Sequence, residues 1–180
     1  SELQERKILE QQAVLERMAY HDPLTKLPNR RFLDELIKNE VAKVRRGQTH
    51  SCLIVLDIDD FKLVNDTYGH PTGDEVLKEF VEVVDKLMRA SDTFVRLGGE
   101  EFLILVPDSS LDATLIFADR LSQEVARHRF TANDDKITIT ISIGVASLNG
   151  VETSSDYYSN ADRALYRAKN KGKNRIEAHR

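Results

Sequence analysis

The chain has 180 residues, of which 31% are charged, with a formal net charge of -4 and a pI near 5.8. This length is sufficient for one domain with a sizeable core. The slightly acidic balance excludes a global electrostatic attraction to nucleic acid or to an anionic membrane, so we expect no nucleic-acid partner and no membrane contact by this segment. The lone Cys52 heads an apolar strand, which predicts a reduced thiol in a cytoplasmic protein.

The first predicted element is an exposed helix over residues 2 to 19, ELQERKILEQQAVLERMA. Ile8, Leu15 and Met18 lie at heptad spacing, but Gln11 interrupts the seam. A solvated connecting helix and a dimer stalk therefore both stay open. Because the chain starts inside a helical pattern, we expect a piece of a longer protein, with a sensor domain upstream and with membrane anchoring left open. We divide the chain into a connecting helix, 1–20, and one domain, 21–180.

The next elements follow in turn. A hinge, HDPLTKLPNR, leads to a helix over about 29–46 and to a buried strand, SCLIVLD. A polar loop, 59–71, is expected before a helix that Thr72 and Glu75 open as a capping box. A hairpin follows, in which TFVRL and EFLILV flank a Gly98-Gly99 turn.

The C-terminal third of the chain predicts two helices and two strands. Ser109 or Ser110 caps a helix, and KITITISIGVA alternates as a strand with one wet side. A helix over 155–171 and a short edge strand, NRIEA, complete the chain. The order β-α-β-β-α-β predicts an α+β fold with a ferredoxin-like core, an antiparallel central sheet backed by helices on one face, and extra flanking helices.

Three carboxylates are expected at one edge of this sheet. Strand one ends in Asp57, and the hairpin that leads to strand three carries Glu100 and Glu101. Strands one and three are neighbours in this topology, so the acids converge and repel unless a cation lies between them. A hard divalent ion such as Mg²⁺ would satisfy them. The alternative for each motif alone is a solvated loop tip.

Cationic residues are expected to complement these acids. Lys62 follows strand one, Arg96 precedes the glycines, and the end of the last helix carries Lys169, Lys171, Lys173 and Arg175. Taken alone, the lysines are typical of a solvated helix C-terminus. Beside an acidic metal site, a clamp for a triphosphate explains them better.

A carboxylate and an amide are candidates for reading a base. Asn65 offers both a donor and an acceptor, and Asp74 would accept from the N1-H and the exocyclic amine of guanine. Adenine presents an acceptor at N1 and would leave Asp74 unpaired. The alternative for Asp74 is a helix first-turn acid, which the helix dipole favours whatever the function.

Four ordered motifs together resemble the diguanylate cyclases, or GGDEF domains, over roughly residues 20–178. They are RLGGEEF, DIDDFKLVNDTYGHPTGDEVL, DPLTKLPNRR and ADRALYRAKNKGKNRI. The resemblance implies a palm-type fold, shared with nucleotidyl cyclases and polymerases. It also implies that two GTP molecules condense to cyclic di-GMP and two pyrophosphates in a homodimer that holds one GTP per subunit, with an Mg²⁺ cofactor, or Mn²⁺ in its place.

The resemblance also implies residue roles. The metal would be held by Asp57, Glu100 and the backbone carbonyl of Ile58, and the catalytic set would be Glu101, Glu100, Asp57 and Lys62. The guanine would be taken by Asn65 and Asp74, and the remaining contacts with GTP by Phe61, Lys62, Arg96, Lys169 and Lys173. Two positions depart from the family pattern, since Lys26 stands where glycine is frequent and Lys173 where arginine is commoner. Lysine keeps the charge but loses bidentate phosphate contact.

Arg89 and Asp92, in RASD, match the offset of the family's product-inhibition site, so cyclic di-GMP is expected there as an inhibitor. The alternative is a simple i,i+3 ion pair in a turn.

Three rival functions stay open. They are a catalytically weak module that binds GTP or cyclic di-GMP, a related cyclase that makes a mononucleotide or accepts ATP, and a pure dimerisation domain. The presence of all three acids favours the enzyme over the binding module.

Overall fold

The computed structural model describes residues 1–47 and 49–179, and within them the chain forms six α-helices and five strands. The helices are α1 (Glu2–Tyr20), α2 (Arg30–Arg45), α3 (Phe61–Tyr68), α4 (His70–Asp85), α5 (Leu111–Arg127) and α6 (Ser154–Asn170). The strands are β1 (Ser51–Ile58), β2 (Thr93–Gly98), β3 (Glu101–Val106), β4 (Ile141–Leu148) and β5 (Ile176–Ala178). A 3₁₀ turn, Ala132–Asp134, lies between α5 and β4.

The strands form one sheet in the order β2-β3-β1-β4-β5. Neighbours among the first four are antiparallel, and β5 pairs in parallel with β4 at the edge. The predicted ferredoxin-like α+β core and the short edge strand are therefore confirmed. β1 is central and fully buried because its residues are apolar on both faces.

Helices cover both faces of the sheet, so the expectation of helices on one face is wrong. On one face Ile54 and Leu56 pack in a core with α4 and α5. On the other face Leu53 and Val55 pack in a second core with α2 and α6. The helices that precede and follow the βαββαβ unit thus supply the second layer, and α6 brings its C-terminal cations to the sheet.

The expected wet side of β4 is also wrong. Ser142, Gly144 and Ala146 are buried beneath α6. A Cβ on Gly144 would collide with the backbone of Ala161 and Leu165, so a small residue is required for the helix to approach this closely. In β4, the alternation of large and small residues therefore reflects close packing of the small residues against α6 and not a solvent-exposed face.

The expected polar loop over 59–71 is in fact helix α3 and the start of α4. Phe61 and Val64 are buried one turn apart, which fixes α3 against the core. The capping box is wrong as well, because α4 begins at His70 and Thr72 lies buried inside it, where its hydroxyl accepts from Asn133. Eight residues with two buried apolar positions were too short a pattern to recognise.

The N-terminal helix α1 confirms the predicted span and has no buried residue. The backbone N–H and side-chain amide of Asn29 bond the carbonyls of Tyr20 and Ala19, at 2.8 and 2.9 Å, and so tether its last turn to the domain. Among the described residues, none of the helices combines the length and apolar character needed to cross a bilayer. The coiled-coil seam on α1 stays a prediction.

Candidate functional site

The predicted acids meet at one end of β1 and β3. Asp57 and Glu101 are directly opposite in the β1–β3 register, so their side chains leave the same face. The backbone N–H of Ile58 donates to the carbonyl of Glu100 at 3.1 Å, which holds the hairpin mouth against the end of β1. The topology thus brings Asp57, Glu100 and Glu101 to one end of the sheet, as expected.

The turn that presents these acids lies one residue later than expected. Gly98 pairs with Glu101, after an irregularity in the register that follows Arg96, so Gly99 and Glu100 form the turn. Gly98 and Gly99 have φ values of 151° and 50°, which a residue with a Cβ rarely adopts. Two glycines are therefore needed to aim Glu100 at the end of β1.

A cleft of about 190 Å³ opens where the acids and the cations meet. Its volume suits an ion and phosphate groups, whereas whole-ligand pockets are typically larger, about 300 Å³ or more. A nucleotide would therefore place its base outside this cleft. The lining residues, which include seven of the predicted site positions, are Asp57, Ile58, Asp59, Asp60, Phe61, Lys62, Glu100, Lys169 and Lys173.

Lys169 from α6 neutralises the buried acid. Its Nζ donates to Asp57 at 2.6 Å, and the Asp57 side chain is only 12% exposed. Burial raises the pKa of Asp57 to about 6, against the opposing effect of Lys169 and with a further increase from Glu100 and Glu101. Burial also favours neutral Lys169, but the hydrogen bond to Asp57 and the charges of Asp57, Glu101 and Glu100 together outweigh burial and raise the pKa of the amine.

A second pair closes the other side of the cleft. Lys173 donates to Asp60 at 2.6 Å, with both side chains substantially exposed. Asp59, which the sequence did not single out, lies beneath this pair. It accepts from the hydroxyls of Thr140 and Ser142, both at 2.6 Å, and from the backbone N–H of Asn174 at 3.0 Å. Asp59 thus ties the basic C-terminal loop to β4.

The residues that lie at the cleft fit an Mg²⁺ ion that takes only some of its ligands from the protein. Asp57, Glu100 and the Ile58 carbonyl offer hard oxygen donors, and the buried, partly neutralised Asp57 would gain from a divalent charge. Within the described residues no three His, Cys, Asp or Glu side chains form a ready-made cage. This matches an ion whose other ligands are water and substrate phosphates.

The proposed base readers also come together. The Asn65 side chain lies directly over Gly73, where a Cβ would collide with its Oδ1 atom, and Asp74 follows at an exposed position of α4. Phe61 is 6% exposed and belongs to the core, and it also lines the cleft. Lys62 is 91% exposed and reaches Asp66 at 3.6 Å, a weak pairing that leaves it free to turn toward a phosphate.

Arg96 lies apart from this group. Its guanidinium donates to Asp22 at 3.0 and 3.1 Å and to the carbonyl of Gly99 at 2.7 and 3.0 Å. Burial would raise the pKa of Asp22, but hydrogen bonds from Thr25 and Arg96 hold it below its usual value. Arg96 therefore supports the turn that carries Glu100, and its expected contact with GTP stays a prediction.

The departure at Lys26 has a local cost. Lys26 has a φ of 66°, a left-handed conformation that glycine adopts without strain. It lies in the hinge where Asp22 accepts from the backbone and hydroxyl of Thr25, at 2.7 and 2.8 Å. The hinge keeps its hydrogen bonds and accommodates the lysine, so hinge geometry is retained.

Arg89 and Asp92 are paired in the turn before β2. Arg89 donates to Asp92 through its backbone N–H at 2.8 Å and its guanidinium at 3.1 Å, and also to the carbonyl of Pro107. The Asp92 side chain is only 2% exposed. In this arrangement the pair makes the simple i,i+3 contact.

Sequence reasoning missed Tyr158 of α6, whose hydroxyl bonds Glu101 at 3.1 Å. The two residues are 57 positions apart, so no spacing pattern could have linked them.

The fold and the cleft define a palm-type α+β domain with an acidic site sized for phosphates. The sequence matches the family described as "Diguanylate cyclase, GGDEF domain" over residues 19–175. The chain belongs to this family.

Curated relatives agree with this assignment. Diguanylate cyclase DgcP of Pseudomonas aeruginosa is 42% identical over 159 residues, covering 88% of this chain and 24% of DgcP. Diguanylate cyclase DosC of Escherichia coli K12 is 41% identical over 157 residues, covering 87% of this chain and 34% of DosC. The chain thus spans about a quarter to a third of the length of these relatives.

Solved structures share the fold. The coiled coil and GGDEF domain of DgcB from Caulobacter crescentus, in complex with c-di-GMP, superposes with a TM-score of 0.90 at 31% identity, covering 98% of this chain and 94% of that one. The active GGEEF domain of a diguanylate cyclase from Vibrio cholerae gives a TM-score of 0.77 at 34% identity, covering 84% and 97%.

The burial of Asp57 predicts a pH-dependent stability. Its pKa of about 6 lies above the ordinary value of 3.8, so the native state binds more protons than the unfolded chain between these values. The free energy of unfolding therefore falls as pH rises through about 4 to 6, by up to about 3 kcal/mol. We expect Asp57→Asn to remove this component in urea unfolding without divalent ions.

Asp34→Asn is the control, because Asp34 is exposed on α2 and should keep the wild-type pH dependence. Parallel pH profiles for wild type and Asp57→Asn would contradict the burial penalty.

Proposed function

We propose that this domain is a diguanylate cyclase that condenses two GTP molecules into cyclic di-GMP with release of two pyrophosphates. The observation that carries the proposal is the convergence of Asp57, Glu100, Lys169 and Lys173 around one phosphate-sized cleft, with Glu101 opposite Asp57 in the β1–β3 register. Membership of the GGDEF family supports the same reaction. Complete retention of the acids favours turnover over mere binding.

Two ion pairs lie in the cleft, and a nucleotide would have to replace them. Lys169 and Lys173 now rest on Asp57 and Asp60. Phosphates would draw both lysines away and leave Asp57 in need of another cation. Asp57, Glu100 and the Ile58 carbonyl would then hold Mg²⁺, which when bound lowers the pKa of a coordinated hydroxyl and neutralises charge on the phosphates.

Guanine selection is assigned to the α3–α4 junction. Asn65, which rests on Gly73, and the exposed Asp74 together present an amide and a carboxylate. A carboxylate pairs with the two adjacent donors of guanine and rejects adenine, which leaves it unsatisfied. GTP is therefore favoured over ATP, and a GTP/ATP competition assay tests this choice.

A homodimer follows from the chemistry. The cleft has room for the phosphates of one nucleotide, so a ribose 3'-OH reaches an α-phosphate only from a second, facing domain. A two-fold arrangement makes both transfers equivalent. Catalysis therefore requires two domains, each of which supplies one GTP and one set of acids.

The direct test is incubation of the domain with GTP and Mg²⁺, followed by chromatographic separation of nucleotides. We expect cyclic di-GMP and pyrophosphate, and a rate that falls faster than linearly as the protein is diluted. GTP bound without turnover would favour the binding module, and a cyclic mononucleotide would favour the other cyclase class. Constant specific activity at concentrations where the protein sediments as a monomer would contradict the shared reaction.

A change at Gly73 tests the base site without touching the acids. In Gly73→Ala the new methyl group meets Asn65 Oδ1, the movable end of a side chain, so the amide shifts while α4 is preserved. We expect the KM for GTP to rise by about ten-fold, the effect of roughly one lost hydrogen bond to a base. The melting temperature should change little because alanine favours a helix.

The control for this change is Lys78→Ala, on the exposed face of the same helix, where Lys78 pairs only with Glu75. Its KM should stay at the wild-type value. An unchanged KM for Gly73→Ala would remove Asn65 from the base site.

We also assign Arg89 and Asp92 to a product-inhibition site. Binding of cyclic di-GMP there would release the guanidinium of Arg89 from the Pro107 carbonyl and expose the carboxylate of Asp92. The two freed groups could then grip a guanine edge and a phosphate. Bound cyclic di-GMP would lock the two domains in a non-productive arrangement.

Arg89→Ala should relieve inhibition by added cyclic di-GMP and weaken its binding in calorimetry. Arg127→Ala is the control, because Arg127 makes a similar i,i+3 pair with Glu124 on α5. Inhibition that survives Arg89→Ala unchanged would exclude this site.

A further inference from the structure

Tyr158 of α6 stands between an arginine and one of the hairpin acids. Its hydroxyl lies 3.1 Å from Glu101 Oε1 and 3.1 Å from an Nη atom of Arg30. The guanidinium carbon of Arg30 also lies 5.5 Å from the centre of the tyrosine ring, within the range of a cation–π contact. Arg30 opens α2, so two helices converge on Glu101.

The direction of these hydrogen bonds is fixed by chemistry. A guanidinium can only donate and an ionised carboxylate can only accept, whereas a tyrosine hydroxyl does both with a single hydrogen. Arg30 therefore donates to the hydroxyl, and the hydroxyl must direct its own hydrogen to Glu101. Within the described residues the side chain of Glu101 has no other hydrogen-bond partner. One of its oxygens is thus committed, and the other stays available to a ligand.

The hydroxyl remains a donor at any working pH. Burial, together with the charge of Glu101, raises the pKa of Tyr158 to about 12. The half-buried ring is held by α6, so the hydroxyl is presented in one place. A fixed donor on a carboxylate limits the rotation that an acid in a solvated hairpin would otherwise have.

The same helix also holds the opposing acid. Lys169 follows Tyr158 by eleven residues, about three helical turns, so the two side chains leave a common face of α6. Lys169 bonds Asp57, and Tyr158 bonds Glu101, which is the register partner of Asp57. Both carboxylates are therefore oriented from α6, one by an exchangeable cation and one by a neutral donor that phosphates would not displace.

We propose that Tyr158, oriented by Arg30, is a positioning residue that fixes the carboxylate of Glu101 for the transfer reaction. This inference rests on the proposed cyclase function. When phosphates draw Lys169 away from Asp57, the bond from Tyr158 keeps Glu101 in place.

Tyr158→Phe tests the proposal because it removes one oxygen and keeps the ring beneath Arg30. We expect kcat to fall by about ten-fold, the effect of one lost hydrogen bond to a charged group, with the KM for GTP within two-fold of wild type. Tyr157→Phe is the control. Tyr157 is the adjacent buried tyrosine. Its hydroxyl donates to the side-chain oxygen of Asn149 and accepts from the backbone N–H of Glu152, at a place remote from Asp57 and the hairpin acids. It should lower the melting temperature and leave kcat unchanged.

A double-mutant cycle on stability gives a readout that needs no activity. If Tyr158 bonds Glu101, the losses of stability from Tyr158→Phe and Glu101→Ala are not additive in urea unfolding, whereas Tyr157→Phe and Glu101→Ala are additive. An additive Tyr158 cycle, or a kcat for Tyr158→Phe within two-fold of wild type, overturns the proposal. If the wild type forms no cyclic di-GMP, the cyclase function fails instead, and the cycle still decides whether Tyr158 holds Glu101.

Discussion

The burial of a carboxylate at the end of the central strand is the constraint on which the site depends. Asp57 must be buried because β1 lies between two strands and beneath α6. It also faces the hairpin acids, so its charge is disfavoured both by loss of water and by repulsion. Positive charge has to be supplied, and Lys169 supplies it.

Under the proposed function, Lys169 has two roles that compete with each other. A lysine that is paired with an acid cannot bind a phosphate at full strength at the same time. Phosphates and a divalent ion would therefore replace the Lys169–Asp57 ion pair by a new balance of charge. Two contacts that are not part of this exchange would keep the shape of the site. Arg96 supports the turn that carries Glu100, and Asp59 holds the loop that carries Lys173.

Much of the site could be predicted because it follows from topology. The convergence of Asp57 with Glu100 and Glu101 needs only the adjacency of strands one and three, which the order of elements determines. Contacts between side chains from distant elements could not be predicted. Tyr158 reaches Glu101 from α6, and nothing in a period or a motif links the two positions.

The fold was predicted less well where a strand or a helix is buried without a regular pattern of large apolar residues. The small residues of β4 resembled a solvated face, but Gly144 is small because the backbone of α6 touches it. α3 was missed because it is short and only two of its side chains, Phe61 and Val64, are buried, whereas the apolar Leu63 between them is exposed. In both places the packing partner decides the structure, and the partner is not visible in the local sequence.

The central claim is that Asp57 and Glu100 share a divalent cation once phosphates have displaced Lys169. Electron paramagnetic resonance of Mn²⁺ titrated into the domain with a non-hydrolysable GTP analogue measures this directly. Protein-dependent Mn²⁺ binding that is lost in Asp57→Asn and kept in Asp34→Asn is the predicted result. Equal Mn²⁺ binding by wild type and Asp57→Asn would contradict the account.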